Sequence, residues 1–318
     1  MPVEAFHPDL RLVRFLPRGT VGRRTLPLVR LAMRVPRPST TAGVEHLRVP
    51  SGPALQVHGR DRSGGRTQER RPALLWIHGG GMVMGDARQD APFCARVARE
   101  LDAVVVSVEY RLAPEHPFPA PLEDCYAALE WLAAQPDVDP ARIAIGGASA
   151  GGGLAAGLAL LARDRGRVRP ALQLLVYPMI DDRTTLRTDI DPRRLRLWSP
   201  GSNRFGWQAY LGPDLTPGQP DGVPAAAAPA RAADLTGLPP AWIGVGSCDL
   251  FHDEDVAYAQ RLQQAGVECT LEVVPGAYHG FDAVERRTAL ARAFLDAQLR
   301  ALAGGLSRAA RKPSVPGT

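Results

Sequence analysis

Lysine is almost absent from this 318-residue chain: Lys312 is the only one, so its formal charge of +5 is carried by arginine. Cysteine is scarce as well. Cys94, Cys125, Cys248 and Cys269 lie far apart without a Cys-x-x-Cys pair, which excludes a zinc-finger spacing and a small disulfide framework. Free buried thiols in a reducing compartment are the expectation, and with it a cytoplasmic location. No apolar run reaches the roughly 18 residues a membrane helix needs, so neither a spanning helix nor stable membrane association is expected. Residues 1–16 alternate charged and apolar types without a continuous apolar centre, unlike a signal peptide. Arginine clusters at 62–71, 163–169 and 193–196 are accompanied by no nucleic-acid motif; they read as solvated loops, and no nucleic-acid partner is expected. No internal repeat is visible.

What the chain does have is a rhythm. Short β-branched or apolar runs at 46–49, 54–58, 73–78, 103–110, 142–146, 172–177, 241–246 and 268–274 predict strands. Segments of helical period at 92–101, 121–134, 150–165, 253–265 and 284–303 lie between or after them. Strands alternating with helices imply right-handed crossovers and an α/β fold with a mostly parallel eight-stranded sheet. The first two strands share a short turn near 51–53 and should pair antiparallel. Two regions break the pattern: the leader 1–43, and 181–239, where proline, glycine and alanine interrupt everything except a helix near 203–211. A long irregular stretch inside an α/β chain is commonly a lid. The organisation predicted is therefore a cap from 1–43 and 181–239, a core of 44–180 and 240–306, and a disordered tail from 307 to 318.

The sharpest local signal is Gly147-Ala148-Ser149-Ala150-Gly151, between the apolar run at 143–145 and an Ala/Leu-rich segment. A strand, a glycine-bracketed serine and a helix form the nucleophile elbow, which lifts the hydroxyl off the sheet. Gly147 and Gly151 fit because a side chain there would collide with neighbouring elements. A serine needs a base. Of the seven histidines, His279 alone follows the last predicted strand in a glycine-flanked loop, where it can reach the carboxyl edge of the sheet. Asp249, just past the strand 241–246, is the candidate carboxylate that orients the imidazole. Asp253, Glu254 and Asp255 compete, but they open the next helix, where capping and the helix dipole explain acidic side chains. The chain order Ser149, Asp249, His279 is that of α/β-hydrolases.

Attack on a carbonyl places charge on its oxygen, which N–H donors must meet. His78-Gly79-Gly80-Gly81 ends a predicted strand, and Gly80 and Gly81 are the candidate donors together with Ala150. Gly79 is not firmly separable from them by sequence. His78 reads as an anchor of this loop.

Together these residues resemble the hormone-sensitive-lipase family of α/β-hydrolases, the microbial carboxylesterases with a His-Gly-Gly-Gly motif. The resemblance runs from about Leu55 to Arg300. It includes Tyr110 to Ala120, Tyr177-Pro178-Met179, Tyr210-Leu211-Gly212, Leu235 to Pro240, Asp249 to Glu254, and His279-Gly280-Phe281. It implies hydrolysis of short- to medium-chain acyl esters without a cofactor or metal, and a cap built from the leader and an insertion after the sixth strand. It also implies a homodimer formed through 268–274 and 284–303. Two positions depart from the family pattern. Ala148 stands where members carry Asp or Thr, and Met82 where an aromatic is common, which predicts a more flexible acyl or alcohol pocket. The same triad would serve amides, lactones or peptides. A non-catalytic binding protein on this fold is the reading from another class; receptors of that kind lack the catalytic histidine, which is present here as His279.

Overall fold

The computed structural model describes residues 6–19, 21–33, 44–49, 52–59 and 70–311. The leader boundary at Gly43, most of the arginine cluster at 62–71 and the end of the tail lie outside the described residues.

The elements follow in chain order as α1 (Leu26–Met33), β1 (Glu45–Arg48), β2 (Ala54–His58), β3 (Arg71–Ile77), α2 (Ala91–Leu101), β4 (Val104–Glu109), α3 (Ala120–Ala133), β5 (Val138–Ala148), α4 (Ala150–Arg165), β6 (Leu172–Val176), α5 (Pro200–Leu211), β7 (Ala241–Cys248), α6 (His252–Gln264), β8 (Cys269–Tyr278), α7 (Phe281–Val284) and α8 (Ala289–Arg311). The strands form one eight-stranded sheet of order β1-β2-β4-β3-β5-β6-β7-β8. β1 pairs with β2, and β2 with β4, antiparallel; the remaining pairs are parallel.

Parallel strands buried on both faces read as near-continuous apolar runs, and the alternation of their side chains divides the core into two layers. Leu75, Ile77, Ile143 and Ile145 point to one face, where they pack with α3, α4 and α6 through residues such as Leu129, Leu158 and Leu262. Leu74, Trp76, Ala144 and Leu174 point to the other, against Val97 of α2 and Phe294 and Leu302 of α8. A one-residue slip in any of these strands would exchange the two layers, so the pattern fixes the register.

The final helix departs from expectation at both ends. A helix expected over 284–303 begins instead at Ala289, because Thr288 Oγ1 accepts the N–H of Ala291 and caps it. Expected disorder from 307 onward is overturned for 307–311, since the helix continues to Arg311. Ser307-Arg308-Ala309-Ala310-Arg311 contains no breaker, and proline first appears at Pro313. The helix foreseen near 203–211 starts at Pro200, with the Ser199 side chain accepting the N–H of Ser202.

The two irregular regions meet. Leu197 N–H donates to Pro17 O at 2.8 Å, Arg196 Nε to Val13 O at 2.7 Å, and Val21 N–H to Ser202 Oγ at 3.3 Å. Arg30 of α1 pins the leader to the core, donating to Val83 O and Ala113 O and pairing with Glu115. All four cysteines are free; three are buried and Cys269 is half-buried. Among the described residues no helix is long and apolar enough to cross a membrane.

Candidate active site

Each of the principal candidate side chains is the first residue after a strand. His78 follows β3, Ser149 follows β5, Asp249 follows β7 and His279 follows β8. Parallel strands end on the same edge of the sheet, so four positions spread over two hundred residues converge on one rim.

The turn between β5 and α4 is tight. Ser149 adopts φ 56° and ψ −121°, a conformation that costs a non-glycine residue on the order of 1–3 kcal/mol. The backbone around it compensates: Ser149 N–H donates to Val176 O at 2.8 Å, and Ser149 O accepts from Gly153 and Met179. A Cβ on Gly151 would sit 2.0 Å from Ile77 O, and one on Gly147 2.4 Å from Gly151, so only glycine lets β5 and α4 approach β3 this closely.

The three candidate triad residues are brought together. His279 Nε2 lies 2.9 Å from Ser149 Oγ, and its Nδ1 lies 2.8 Å from Asp249 Oδ2. All three residues are buried. Asp249 Oδ1 accepts the N–H of Phe251 at 3.0 Å, which fixes the carboxylate's rotation. The imidazole is held edge-on by two rings, Tyr177 at 4.8 Å and Phe251 at 5.2 Å between centroids. Tyr177 is itself anchored, its hydroxyl donating to Asp282 Oδ1 at 2.9 Å. A serine–imidazole–carboxylate relay of this geometry can move a proton off the hydroxyl as it attacks an electrophile.

Opposite Ser149 lies the glycine loop. Gly80 and Gly81 have φ 123° and 61°, values that favour glycine, and Gly80 O accepts the N–H groups of Val83 and Met84. Gly79 sits nearest the nucleophile, its ideal Cβ position 3.3 Å from Ser149 Cβ. Among the described residues no backbone acceptor takes the N–H of Gly80, Gly81 or Ala150. His78 is wholly buried, stacks on Tyr110 at 4.2 Å and hydrogen-bonds Gly79 O through Nδ1 at 2.8 Å. Burial pushes its pKa down to about 4, so the ring is neutral at ordinary pH. Met82, which follows the glycine loop, has its side chain fully buried.

Several supporting residues escaped the sequence reading. Glu254 and Asp255 were expected to serve the start of α6, yet both turn inward. Glu254 accepts from the N–H groups of Ile180 and Asp181 and from the Thr184 hydroxyl, tying the segment after β6 to the first turn of α6, just beyond the loop that carries Asp249. Burial raises the pKa of both carboxyls well above the usual range. Trp198 was missed as well; a Cβ on Gly81 would fall 2.1 Å from its ring, which makes that indole a roof over the glycine loop. The Tyr177-Pro178-Met179 motif was the only sequence signal for Tyr177, and it carried no role.

Among the described residues no cluster of His, Cys, Asp or Glu could hold a metal ion. Comparison with known proteins gives the same picture of the site's setting. Residues 74–283 match the sequence profile of a family described as alpha/beta hydrolase fold. The carboxylic ester hydrolase LipN of Mycobacterium tuberculosis is 36% identical over 259 residues, covering 78% of this chain and 66% of the relative. Carboxylesterase NlhH of the same species is 38% identical over 229 residues, covering 67% of each. The chain thus spans about two thirds of the length of these curated relatives. Among solved structures, a bacterial heroin esterase superimposes with a TM-score of 0.85 at 38% identity, over 95% of this chain and 98% of that one. The chain belongs to the hormone-sensitive-lipase-like carboxylesterase group of the α/β-hydrolase-fold family.

Proposed function

We propose that this protein is a serine carboxylesterase that hydrolyses short- to medium-chain acyl esters through an acyl-enzyme on Ser149. The observation that carries the reading is the bridge made by His279, 2.9 Å from the Ser149 hydroxyl on one side and 2.8 Å from the Asp249 carboxylate on the other.

In the first half of the reaction His279 Nε2 takes the Ser149 proton while Oγ bonds to the ester carbonyl carbon. Asp249 stabilises the imidazolium that forms. The N–H groups of Gly80, Gly81 and Ala150 receive the negative charge on the carbonyl oxygen, an interaction stronger in the transition state than in the bound ester. The tetrahedral adduct collapses, and His279 returns the proton to the departing alcohol. In the second half a water molecule gives its proton to His279 and attacks the acyl group; collapse then frees the acid and restores the Ser149 hydroxyl. Neither half requires a cofactor.

The leader 1–43 and segment 181–239 are proposed as the cap over this site, resting on the core 44–180 and 240–306. Their mutual hydrogen bonds and the position of Trp198 above Gly81 support that division.

Hydrolysis of p-nitrophenyl esters from acetate to palmitate, measured beside Ser149→Ala, tests the proposal. Turnover should peak at short to medium acyl chains and fall by a factor on the order of 10⁶ in the variant. An unaltered rate in Ser149→Ala, or no turnover of any ester by the wild type, would sink it.

A further inference from the structure

The glycine loop is held in different ways along its length. Gly79 O lies 2.8 Å from His78 Nδ1, and Gly80 O takes the N–H groups of Val83 and Met84. Gly81 differs: among the described residues neither its N–H nor its carbonyl makes a hydrogen bond. An unpaired N–H suits a donor that must meet a carbonyl oxygen, but it leaves the placement of Gly81 to packing. What packs there is the indole of Trp198, whose nearest ring atoms would fall 2.1 Å and 2.8 Å from a Cβ on Gly81. The same indole meets Gly206 of α5, where a Cβ would lie 3.4 Å from the ring and 3.0 Å from Gly81 O. Glycine inside a helix costs about 1 kcal/mol relative to alanine, and this close approach is its physical reason. Trp198 is only 4% exposed, and its Nε1 donates at 3.3 Å to Oδ1 of Asn203, which is fully buried.

The backbone that delivers this indole is strained. Leu197 has φ 65°, and Trp198 N–H donates to Arg196 O at 2.7 Å, which closes a γ-turn of the rare form with positive φ. Such a conformation costs on the order of 1–3 kcal/mol and persists only where the surroundings over-determine it. The leader supplies that restraint: Pro17 O accepts the Leu197 N–H at 2.8 Å, and Val13 O accepts from Arg196 Nε at 2.7 Å. The turn sends two neighbouring side chains apart. Trp198 goes to Gly81, while Leu197 Cδ1 comes 3.7 Å from the ideal Cβ position of Gly280, the residue after His279. It therefore spans the rim from the loop of the base to the loop of the oxyanion donors.

We propose that Trp198 is a positioning residue: the leader holds the strained turn at Leu197, and the indole so presented fixes Gly81, aiming the N–H groups of Gly80 and Gly81 at the ester's carbonyl oxygen. This rests on the acyl-transfer reading of Ser149. The donors act in the transition states of both halves of that reaction, so a displaced Gly81 slows each half and leaves the binding of the ester unchanged. A displacement on the order of 1 Å costs about 10² in rate.

Steady-state kinetics on p-nitrophenyl acetate, butyrate and octanoate test this. Trp198→Leu should lower kcat about 10²-fold on all three esters, with KM within about twofold of the wild type. Trp198→Phe keeps a ring against Gly81 and should recover kcat to within about tenfold of the wild type. Arg196→Met releases the turn from Val13 O and should lower kcat about fivefold, with no further effect in a Trp198→Leu background, because both substitutions act through one indole. Thermal transitions check folding; if Trp198→Leu fails to fold, Arg196→Met decides alone by the same split between kcat and KM. Wild-type kcat in these variants would overturn the proposal and leave the esterase reading standing. So would a raised KM or a shifted chain-length optimum at unchanged kcat, which would make the indole a wall of the acyl pocket. No turnover of any ester by the wild type would remove both readings together.

Discussion

The nucleophile turn and the segments above it are held by different chemistry. Around Ser149 the restraints are backbone to backbone: amides of Ser149, Gly153 and Met179 and the carbonyls they meet, with α4 buried along nearly its whole length by alanine, glycine and leucine. In the leader and residues 181–239 backbone bonds such as Leu197 N–H to Pro17 O are joined by many arginine side chains. Arg196 reaches Val13 O, Arg30 reaches Val83 O and Ala113 O, and Arg231 pairs with Asp182 while donating to Gln219 O and Pro220 O. A backbone-built turn has few ways to relax, because every alternative leaves buried amides unpaired. An arginine-built surface can be adjusted one side chain at a time, so on the proposed function rigidity would sit where atoms must be aligned and adaptability where a substrate must be admitted.

Substitutions can break this contrast in turn. Gly151→Ala should be the most damaging, because the new methyl meets Ile77 O at 2.0 Å with backbone on both sides. A loss of about 4 kcal/mol is expected in urea unfolding, or failure to accumulate folded protein. A stable Gly151→Ala protein would show that the turn can shift after all. Arg231→Met tests the other region at a deeply buried pair, with Asp182 fully buried and Arg231 nearly so. Stranding that carboxylate should cost about 3 kcal/mol. Stability within error of the wild type would mean that the Gly218 amide and solvent suffice for Asp182.

A smaller effect separates the glycine loop from its surroundings by pH. His78 is held neutral, with its pKa lowered to about 4 by burial. Its folded pKa lies below the unfolded value of about 6.5, so the associated stability is full above that pH and is lost as pH falls toward 4. Between pH 7 and pH 5 the wild type should therefore lose on the order of 2 kcal/mol more than His78→Gln. The buried carboxyls of Glu254, Asp255 and Asp282 act in the opposite sense but are common to both proteins, so they cancel in the comparison. Equal pH dependence would mean that His78 is protonated in place. The smallest expected effect is Arg193→Ala. Its pair with Asp191 is local and solvent-exposed, and the melting temperature should not move, since such pairs contribute little. A clear drop would show that even surface arginines hold this region together.

Legibility followed the same division. Strands were readable because buried parallel strands leave continuous apolar runs, and the elbow because two glycines around a serine before a small-residue helix have few other uses. Glu254 and Asp255 were not readable as buried groups: a helix-start acid looks the same whether it faces water or reaches back to Ile180 and Thr184. Residues 181–239 were recognisable as irregular, but their course depends on arginine contacts with carbonyls far away in sequence, which leave no periodic trace. The end of α8 was misjudged because basic residues and nearby prolines resemble a tail even where the helix continues.

By itself the sequence determined the alternation of strands and helices that makes the sheet, and it named Ser149, Asp249 and His279, in that order, as the candidate residues. Each of these is written in local pattern, either side-chain alternation or a turn that only particular residues can make. Only the tertiary structure decided that Tyr177 and Phe251 clamp the imidazole, that Trp198 roofs the glycine loop, and that Glu254 turns inward to Ile180 and Thr184. Those are contacts between residues distant in the chain, set by how layers pack, and packing leaves no signature in any single segment.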